Sequence, residues 1–261
     1  MLIIGHSHLM LSTDKERIEK ELGVNVSKYT REGVNVYDRE VMIEQYLNSK
    51  YSDSLKVVLY GVDLYTFTGA GLSENVYKLF YPFIDDKYID SYVKHYADDV
   101  DYWMHKIIRT TRYNDDVLKN AAVRGWCKNW DNMKYGNIDI NHYKAILQKG
   151  DERNILMEEE LIISFKRTID NIICRNIKVV LINTPTIDLL NNYDRDKFNF
   201  ITDWFLSYAA NNNMVEYWDF NPEYADQYSI FYDKIHLNSS GQQIITTEII
   251  EQLQNSQILI D

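Results

Sequence analysis

Apolar and polar positions along the chain follow two different periods, and the switch between these periods predicts the order of the elements. Short apolar runs at 2–4, 55–60, 177–182 and 214–219 have the length and the β-branched content of buried strands. The stretch 24–29 alternates apolar and polar residues and predicts one more strand. Apolar residues recur at helical spacing in the segments 13–22, 38–48, 157–175, 196–211 and 240–254. This alternation predicts an α/β fold with a parallel sheet covered by helices.

Capping residues indicate where two of these helices begin or end. Ser12 or Thr13 is suited to begin the first helix, and Gly23 is suited to end it. At the start of the terminal helix, Ser239 with Gln242 has the spacing of a capping box.

Residues 70–150 interrupt the α/β pattern and contain no segment that predicts a strand. This region is rich in Tyr, Asp, Lys and Trp, and its apolar residues recur at helical spacing. We therefore expect one α/β domain over 1–261, with 70–150 as a mainly helical insertion that forms a cap over one edge of the sheet. The pattern favours a structural role and a substrate-binding role for this insertion equally.

Composition limits the classes of function and the cellular compartments that we expect for this protein. The formal net charge of −11 argues against a nucleic-acid partner, because phosphate contacts need clustered Lys and Arg. The 2 cysteines have neither metal-site spacing nor the pattern of a disulfide framework. No apolar run is long enough to span a membrane, and no signal peptide is visible. We expect a cytoplasmic protein on this sequence, or a cell-envelope protein if a leader was removed.

The candidate chemistry begins at Ser7, which follows the first predicted strand and Gly5. In open parallel sheets, ligands bind just beyond the carboxyl ends of the strands. A serine hydroxyl needs a base to take its proton, and a histidine base needs a carboxylate that orients it. Asp233 and His236, in a loop near the other end of the chain, offer that pair. We predict that Ser7, Asp233 and His236 form a catalytic triad.

The same residues carry a family resemblance. A strand that ends in Gly5-x-Ser7, together with a late Asp233-x-x-His236-Leu, resembles the SGNH (GDSL-like) hydrolases. The resemblance implies a three-layer α/β/α sandwich with a five-stranded parallel sheet of flavodoxin-like type, with Ser7 as nucleophile and His236 and Asp233 completing the triad. The run 232–241 is similar to the ending of bacterial members that handle O-acyl groups on cell-surface polysaccharides.

The resemblance also implies an oxyanion hole, and here the chain departs from the family. The family's donors correspond to the Ser7 backbone N–H, to Gly33 and to an Asn at the position of Asp63. An ionised carboxylate at that position would repel a developing oxyanion. Either Asp63 is turned away, or another group donates, or the protein is slow or inactive. His6 is a second departure, because it replaces the Asp of the Gly-Asp-Ser motif.

The resulting expectation is a serine esterase or O-acyltransferase that acts on an ester-linked acyl group such as acetyl, on a small molecule or a carbohydrate. The alternative is a catalytically silent carbohydrate-binding or assembly protein on the same scaffold. A flavodoxin-like nucleotide or receiver module is disfavoured, because no Gly-rich phosphate loop follows the first strand. His6 and His8 have metal-compatible alternation, but two residues are an incomplete site, so we expect no metal and no cofactor.

Overall fold

A computed structural model of the chain describes residues 1–69, 76–114, 116–129, 133–150, 152–256 and 258. Residue 70, the first of the expected insertion, lies outside these described residues.

Five strands form one sheet in which every pair is parallel, in the order β2-β1-β3-β4-β5. The strands are β1 Leu2–Gly5, β2 Ser27–Thr30, β3 Val57–Val62, β4 Lys178–Asn183 and β5 Val215–Asp219. The central strands β1, β3 and β4 are almost entirely buried, which explains their continuous apolar sequences. This strand order is the flavodoxin-like one, so the predicted fold class is confirmed.

Helices cover both faces of the sheet. The α-helices are α1 Ser7–Ser12, α2 Lys15–Leu22, α3 Val36–Leu47, α4 Lys87–Tyr96, α5 Asp99–Ile107, α6 Asp116–Trp126, α7 Ile140–Lys149, α8 Glu159–Ile173, α9 Asp188–Asn191, α10 Arg195–Ala210, α11 Asn221–Tyr224 and α12 Ser239–Asn255. Short 3-10 helices lie at Ser52–Ser54, Val76–Phe83, Arg109–Tyr113 and Tyr228–Ile230. On one face α8 packs on α3, and Phe165 of α8 contacts Trp204 and Phe205 of α10. On the other face α12 packs against α1 and α2.

The start of the first helical region differs from the prediction. The chain forms α1 directly after β1, and the predicted helix begins only at Lys15, with Asp14 as its N-cap. Ser12 and Thr13 do not cap this helix, because their hydroxyls donate to the carbonyls of His8 and Leu9 at 2.6 and 2.7 Å. A short helix with polar residues at its end has too few turns to show a helical period in the sequence.

The predicted capping box of the terminal helix is also wrong. Asn238 is the N-cap of α12, and its side-chain oxygen accepts from the backbone N–H groups of Ser240 and Gly241 at 3.0 and 3.2 Å. The helix therefore begins at Ser239, and Ser239 with Gln242 lies inside its first turn. Asn and Ser are both good N-caps, so the sequence alone does not distinguish a helix capped by Asn238 from one capped by Ser239.

Between β3 and α8 the described residues contain helices and no strand, as the sequence pattern indicates. Part of this region packs with Val34, which precedes α3, in a second apolar cluster. Its other buried members are Val76, Tyr77, Phe80, Tyr81, Ile84, Ile89, Tyr92, Val93 and Tyr102. The Tyr92 hydroxyl donates to Asp38 on α3, which ties the cluster to the sheet domain. Tyr143 of α7 instead packs into the main core. The division into one domain with a cap over 70–150 stays a prediction.

Two further expectations concern the surface. Within the described residues, no helix combines the length and the apolar character that crossing a membrane requires. Cys127 and Cys174 are both free thiols on the surface.

Candidate active site

The position of Ser7 is fixed by a close contact between α1 and the sheet. Leu9, one turn into α1, packs over Gly5 at the end of β1 and Gly61 in β3. A Cβ atom at Gly5 would lie 3.1 Å from Leu9 Cβ, and one at Gly61 would lie 3.0 Å from it. The two glycines therefore allow α1 to begin immediately at the carboxyl edge of the sheet. Ser7 is the first residue of that helix, and its backbone N–H has no partner within the helix.

Asp233 and His236 lie in a tight turn that precedes α12. The Asp233 Oδ1 atom accepts from the backbone N–H groups of Ile235 and His236, both at 2.9 Å. The Tyr232 N–H donates to the His236 carbonyl at 2.8 Å, which closes the turn from the other side. One carboxylate oxygen of Asp233 therefore accepts from the backbone, and the second oxygen remains available to the His236 imidazole.

The structure brings all three residues of the predicted triad together. His236 Nε2 lies 2.8 Å from Ser7 Oγ, and His236 Nδ1 lies 2.7 Å from Asp233 Oδ2. Burial alone would raise the pKa of Asp233, but the hydrogen bond and the charge of His236 and the two backbone N–H groups outweigh it, so this pKa is lowered. Asp233 is therefore ionised at neutral pH. An ionised carboxylate holds Nδ1 as the protonated nitrogen, which leaves the Nε2 lone pair facing the serine hydroxyl.

Gly33, the second expected oxyanion residue, lines the cavity that also contains Ser7 and His236. Its φ of +75° is in the left-handed region that favours glycine, in the turn between β2 and α3. Gly33 and Ser7 line the same cavity. The structure therefore places both of these residues at one cavity, and their role as oxyanion donors stays a prediction.

Asp63, the third expected oxyanion residue, is arranged as an acceptor. Its Oδ2 atom lies 3.1 Å from His6 Nε2 and 3.0 Å from His8 Nδ1, although neither ring N–H direction points straight at it. Its Oδ1 atom accepts from the Tyr65 N–H and the Thr66 hydroxyl at 2.9 and 3.1 Å. Burial would raise the pKa of Asp63, but the two histidines outweigh burial and hold this pKa well below its usual range. An ionised carboxylate has no hydrogen to donate, so Asp63 does not provide the missing oxyanion donor.

Asn35 is a polar group of the cavity that the sequence reasoning missed. Its side-chain oxygen accepts from the Asp38 N–H at 3.0 Å, and the Asp38 carboxylate accepts from the Asn35 N–H at 2.8 Å. This capping box begins α3 and fixes the orientation of the amide. Within the described part of the chain no acceptor takes the Nδ2 hydrogens, and the residue lines the cavity beside Gly33. The signal that could have found it is the Asn-x-x-Asp spacing just after the glycine turn.

Among the described residues, His6, His8 and Asp63 form a set of side chains that could hold a metal ion. Their ligand atoms lie within 4.8 Å of one another, and all three residues are buried. The expectation that nothing completes the histidine pair is therefore wrong, because folding brings Asp63 to it. His6 Nδ1 accepts from the His8 N–H at 3.2 Å, which leaves the hydrogen of a neutral ring on Nε2. In that tautomer the neutral His6 carries its hydrogen on the nitrogen that lies 3.1 Å from Asp63, and this suits a polar contact with the carboxylate better than a ligand set.

The cavity around the triad measures about 250 Å³. This is below the range of roughly 300–1,000 Å³ that is typical of sites for larger ligands. Its wall includes Ser7 and His236, and it also includes three cationic side chains, Arg39, Arg153 and Lys234. The site can therefore take a small acyl group next to the serine hydroxyl.

No protein-family model matches this chain, and no curated protein matches it. Among solved structures, the chain is similar to an active-site mutant of a family two carbohydrate esterase from Clostridium thermocellum, with 8% identity and a TM-score of 0.38 over 98% of this chain. A structure of a family two carbohydrate esterase from the same organism, in complex with cellohexaose, has 9% identity and a TM-score of 0.38 over 97% of this chain. The chain covers 63% of the length of each of these two structures. At this sequence identity and TM-score, the similarity does not indicate a substrate or a reaction for this chain.

Proposed function

We propose that the protein is a serine esterase or O-acyltransferase that cleaves an ester-linked small acyl group. The observation that carries the proposal is the continuous contact from Asp233 through His236 to Ser7, with N–O distances of 2.7 and 2.8 Å. These distances are within the range at which a base takes a proton from a nucleophile.

In the first step, the Ser7 Oγ atom forms a bond to the acyl carbon as its proton moves to His236 Nε2. The carbonyl π electrons move to oxygen, and the oxyanion accepts hydrogen bonds from the backbone N–H groups of Ser7 and Gly33. We add the Asn35 amide as the third donor, in place of the Asn that the family has where this chain has Asp63. The C–O bond to the alcohol then breaks, and the imidazolium protonates that alcohol as it leaves.

In the second step, an acceptor hydroxyl attacks the acyl-Ser7 ester while His236 takes its proton. The bond from the acyl carbon to Ser7 Oγ breaks, and the proton returns to the serine. Water as the acceptor gives hydrolysis, whereas a sugar hydroxyl gives O-acyl transfer. Both outcomes use the same three residues, so the choice depends on which acceptor reaches the acyl-enzyme.

The size of the cavity supports a small acyl group such as acetyl. The carbohydrate part of the proposal comes from the resemblance of 232–241 to proteins that act on polysaccharide O-acyl groups. The alternative of a silent carbohydrate-binding or assembly protein would be preferred if Ser7 Oγ were out of reach of His236. At 2.8 Å that condition is not met, and the departures at Asp63 and His6 are the features that favour the silent alternative.

The proposal is tested by the hydrolysis of p-nitrophenyl acetate with the wild-type protein, Ser7→Ala and His236→Ala. We expect turnover in the wild type and a loss of at least about 10³-fold in each variant. Intact-mass analysis after rapid mixing should show one added acetyl group in the wild type and none in Ser7→Ala. Equal rates in the wild type and Ser7→Ala would remove Ser7 from the mechanism. Adding a sugar alcohol as a second acceptor then separates hydrolysis from transfer.

A further inference from the structure

The wall of the triad cavity carries positive charge, although the chain as a whole has a formal net charge of −11. Arg39, Arg153 and Lys234 all line this cavity. Lys234 is neutralised, because its ammonium donates to both carboxylate oxygens of Glu152 at 2.6 Å and the Glu152 side chain is fully buried. Among the described residues, no carboxylate lies within ion-pair distance of Arg39 or Arg153.

Arg39 is a buried cation held by neutral groups. Its Nε donates to the Asn35 carbonyl at 3.1 Å, its Nη1 donates to the Gly61 carbonyl at 2.6 Å, and its guanidinium lies 4.9 Å from the Tyr60 ring centre. Only 1% of the residue is exposed. A guanidinium has five N–H donors, and these contacts use two of them. Burying a charge without an ion-pair partner is costly, so a negative group bound in the cavity would be stabilised by the Arg39 guanidinium.

Arg153 is the more accessible of the two arginines. Its Nη2 donates to the Thr68 carbonyl at 2.9 Å, and its guanidinium lies 5.2 Å from the Tyr65 ring centre. The backbone contact and the ring hold the planar group in one orientation and leave most of its donors for a ligand. The anion that does line the cavity, Asp63, is turned toward His6 and His8. Arg153 is therefore not paired with it.

We propose that the ester substrate carries a carboxylate, and that Arg153 binds this carboxylate while Arg39 contributes a buried positive charge behind it. This proposal rests on the proposed esterase activity and names the substrate class for the same cavity. The planar guanidinium matches a carboxylate in a bidentate pair, which is stronger than a bond between neutral groups. Because the cavity is small, a ligand whose acyl group reaches Ser7 places its other atoms against the same wall. An O-acylated acidic sugar has the required chemistry.

The test compares two acetate esters of equal shape, 4-acetoxybenzoate and 4-acetoxybenzamide, which differ in charge. We expect the wild-type kcat/KM to be about 10- to 100-fold higher for the anionic ester, after correction for the uncatalysed rates. Arg153→Met should bring this ratio to about one, and Arg153→Lys should retain part of it. Raising the ionic strength should lower the wild-type ratio. Arg167→Met is the matched control, because Arg167 pairs with Glu40 away from the cavity, and it should leave the ratio unchanged.

A ratio of one or less in the wild type, or a ratio that Arg153→Met does not change, would overturn the proposal. If neither ester is hydrolysed, the esterase function fails but the charge preference can still be measured. Calorimetric titration of the Ser7→Ala protein with 4-acetoxybenzoate and 4-acetoxybenzamide measures this preference as a difference in binding affinity. Tighter binding of the anionic compound that disappears in Ser7→Ala/Arg153→Met supports the carboxylate site, and equal binding of the two compounds overturns it.

Discussion

His236 Nε2 lies 2.8 Å from Ser7 Oγ, although the two residues are 229 positions apart in the sequence. The contact arises because β1 runs parallel to its neighbours and ends at the same edge as the loop that precedes α12. Each partner is fixed by its own local structure, Ser7 by the packing of α1 on the sheet and His236 by the backbone bonds of its turn. The contact between Ser7 and His236 therefore does not depend on a long flexible loop.

The role of Asp233 is tested by Asp233→Asn. The amide can keep its oxygen toward the Ile235 and His236 N–H groups, so the turn should remain, but its NH2 group then faces His236 Nδ1. The corresponding change in a serine-protease triad lowers kcat by about 10⁴ by favouring the wrong tautomer, and we expect a loss of similar size here. Steady-state hydrolysis of p-nitrophenyl acetate measures it. A loss smaller than about tenfold would show that the carboxylate does not orient the base.

The role proposed for Asn35 is tested by two substitutions that separate capping from oxyanion binding. Asn35→Asp keeps the oxygen that caps α3 but removes the amide hydrogens and adds a negative charge, so kcat should fall by about 10²–10³ with little loss of stability. Asn35→Ser also keeps a cap and lacks the charge, and it should lower kcat as well. Thermal unfolding reports the cap, and kcat reports the oxyanion donor. If both variants keep wild-type kcat, the donor is not Asn35.

The buried His6 should make stability depend on pH. Burial lowers its pKa from 6.5 to about 4, since it outweighs the attraction of Asp63. The unfolded chain therefore binds a proton between pH 6.5 and 4 that the folded protein does not. This contribution is fully present above pH 6.5 and is lost as the pH falls toward 4, at a cost of up to about 3 kcal/mol.

The matched variant for this effect is His6→Asn, which keeps an acceptor for the His8 N–H. Urea unfolding of the wild type and this variant at several pH values gives the difference in the free energy of unfolding. We expect this difference to change by a few kcal/mol between pH 7 and 4. A difference that is constant over that range would show that the pKa of His6 is the same in the folded and in the unfolded protein.

The sequence predicts the sheet well because its central strands are buried on both faces and so appear as continuous apolar runs. It also predicts which residues meet at the triad, since loops that follow parallel strands share one edge. It did not predict α1, because six residues show no helical period. It also did not predict the contact of Asp63 with His6 and His8, because this contact depends on side-chain orientation. It did not predict the positive charge of the cavity, because that charge comes in part from Arg153, which lies just after the helical region 70–150. Tertiary packing decides such features.

The close fit of Gly241 beside the Asp233–His236 turn gives a last prediction. A Cβ atom there would lie 2.5 Å from the Ile230 carbonyl oxygen and 2.9 Å from Leu237 Cβ, on either side of the Asp233–His236 turn. In an exposed helix, Gly→Ala stabilises by about 1 kcal/mol, but here the clash with backbone should reverse the sign and displace the turn. We expect Gly241→Ala to lower both Tm and kcat, whereas Ser240→Ala, at an exposed neighbouring position, should change neither by much. A Gly241→Ala protein with unchanged Tm and kcat would mean that α12 does not hold His236 in place.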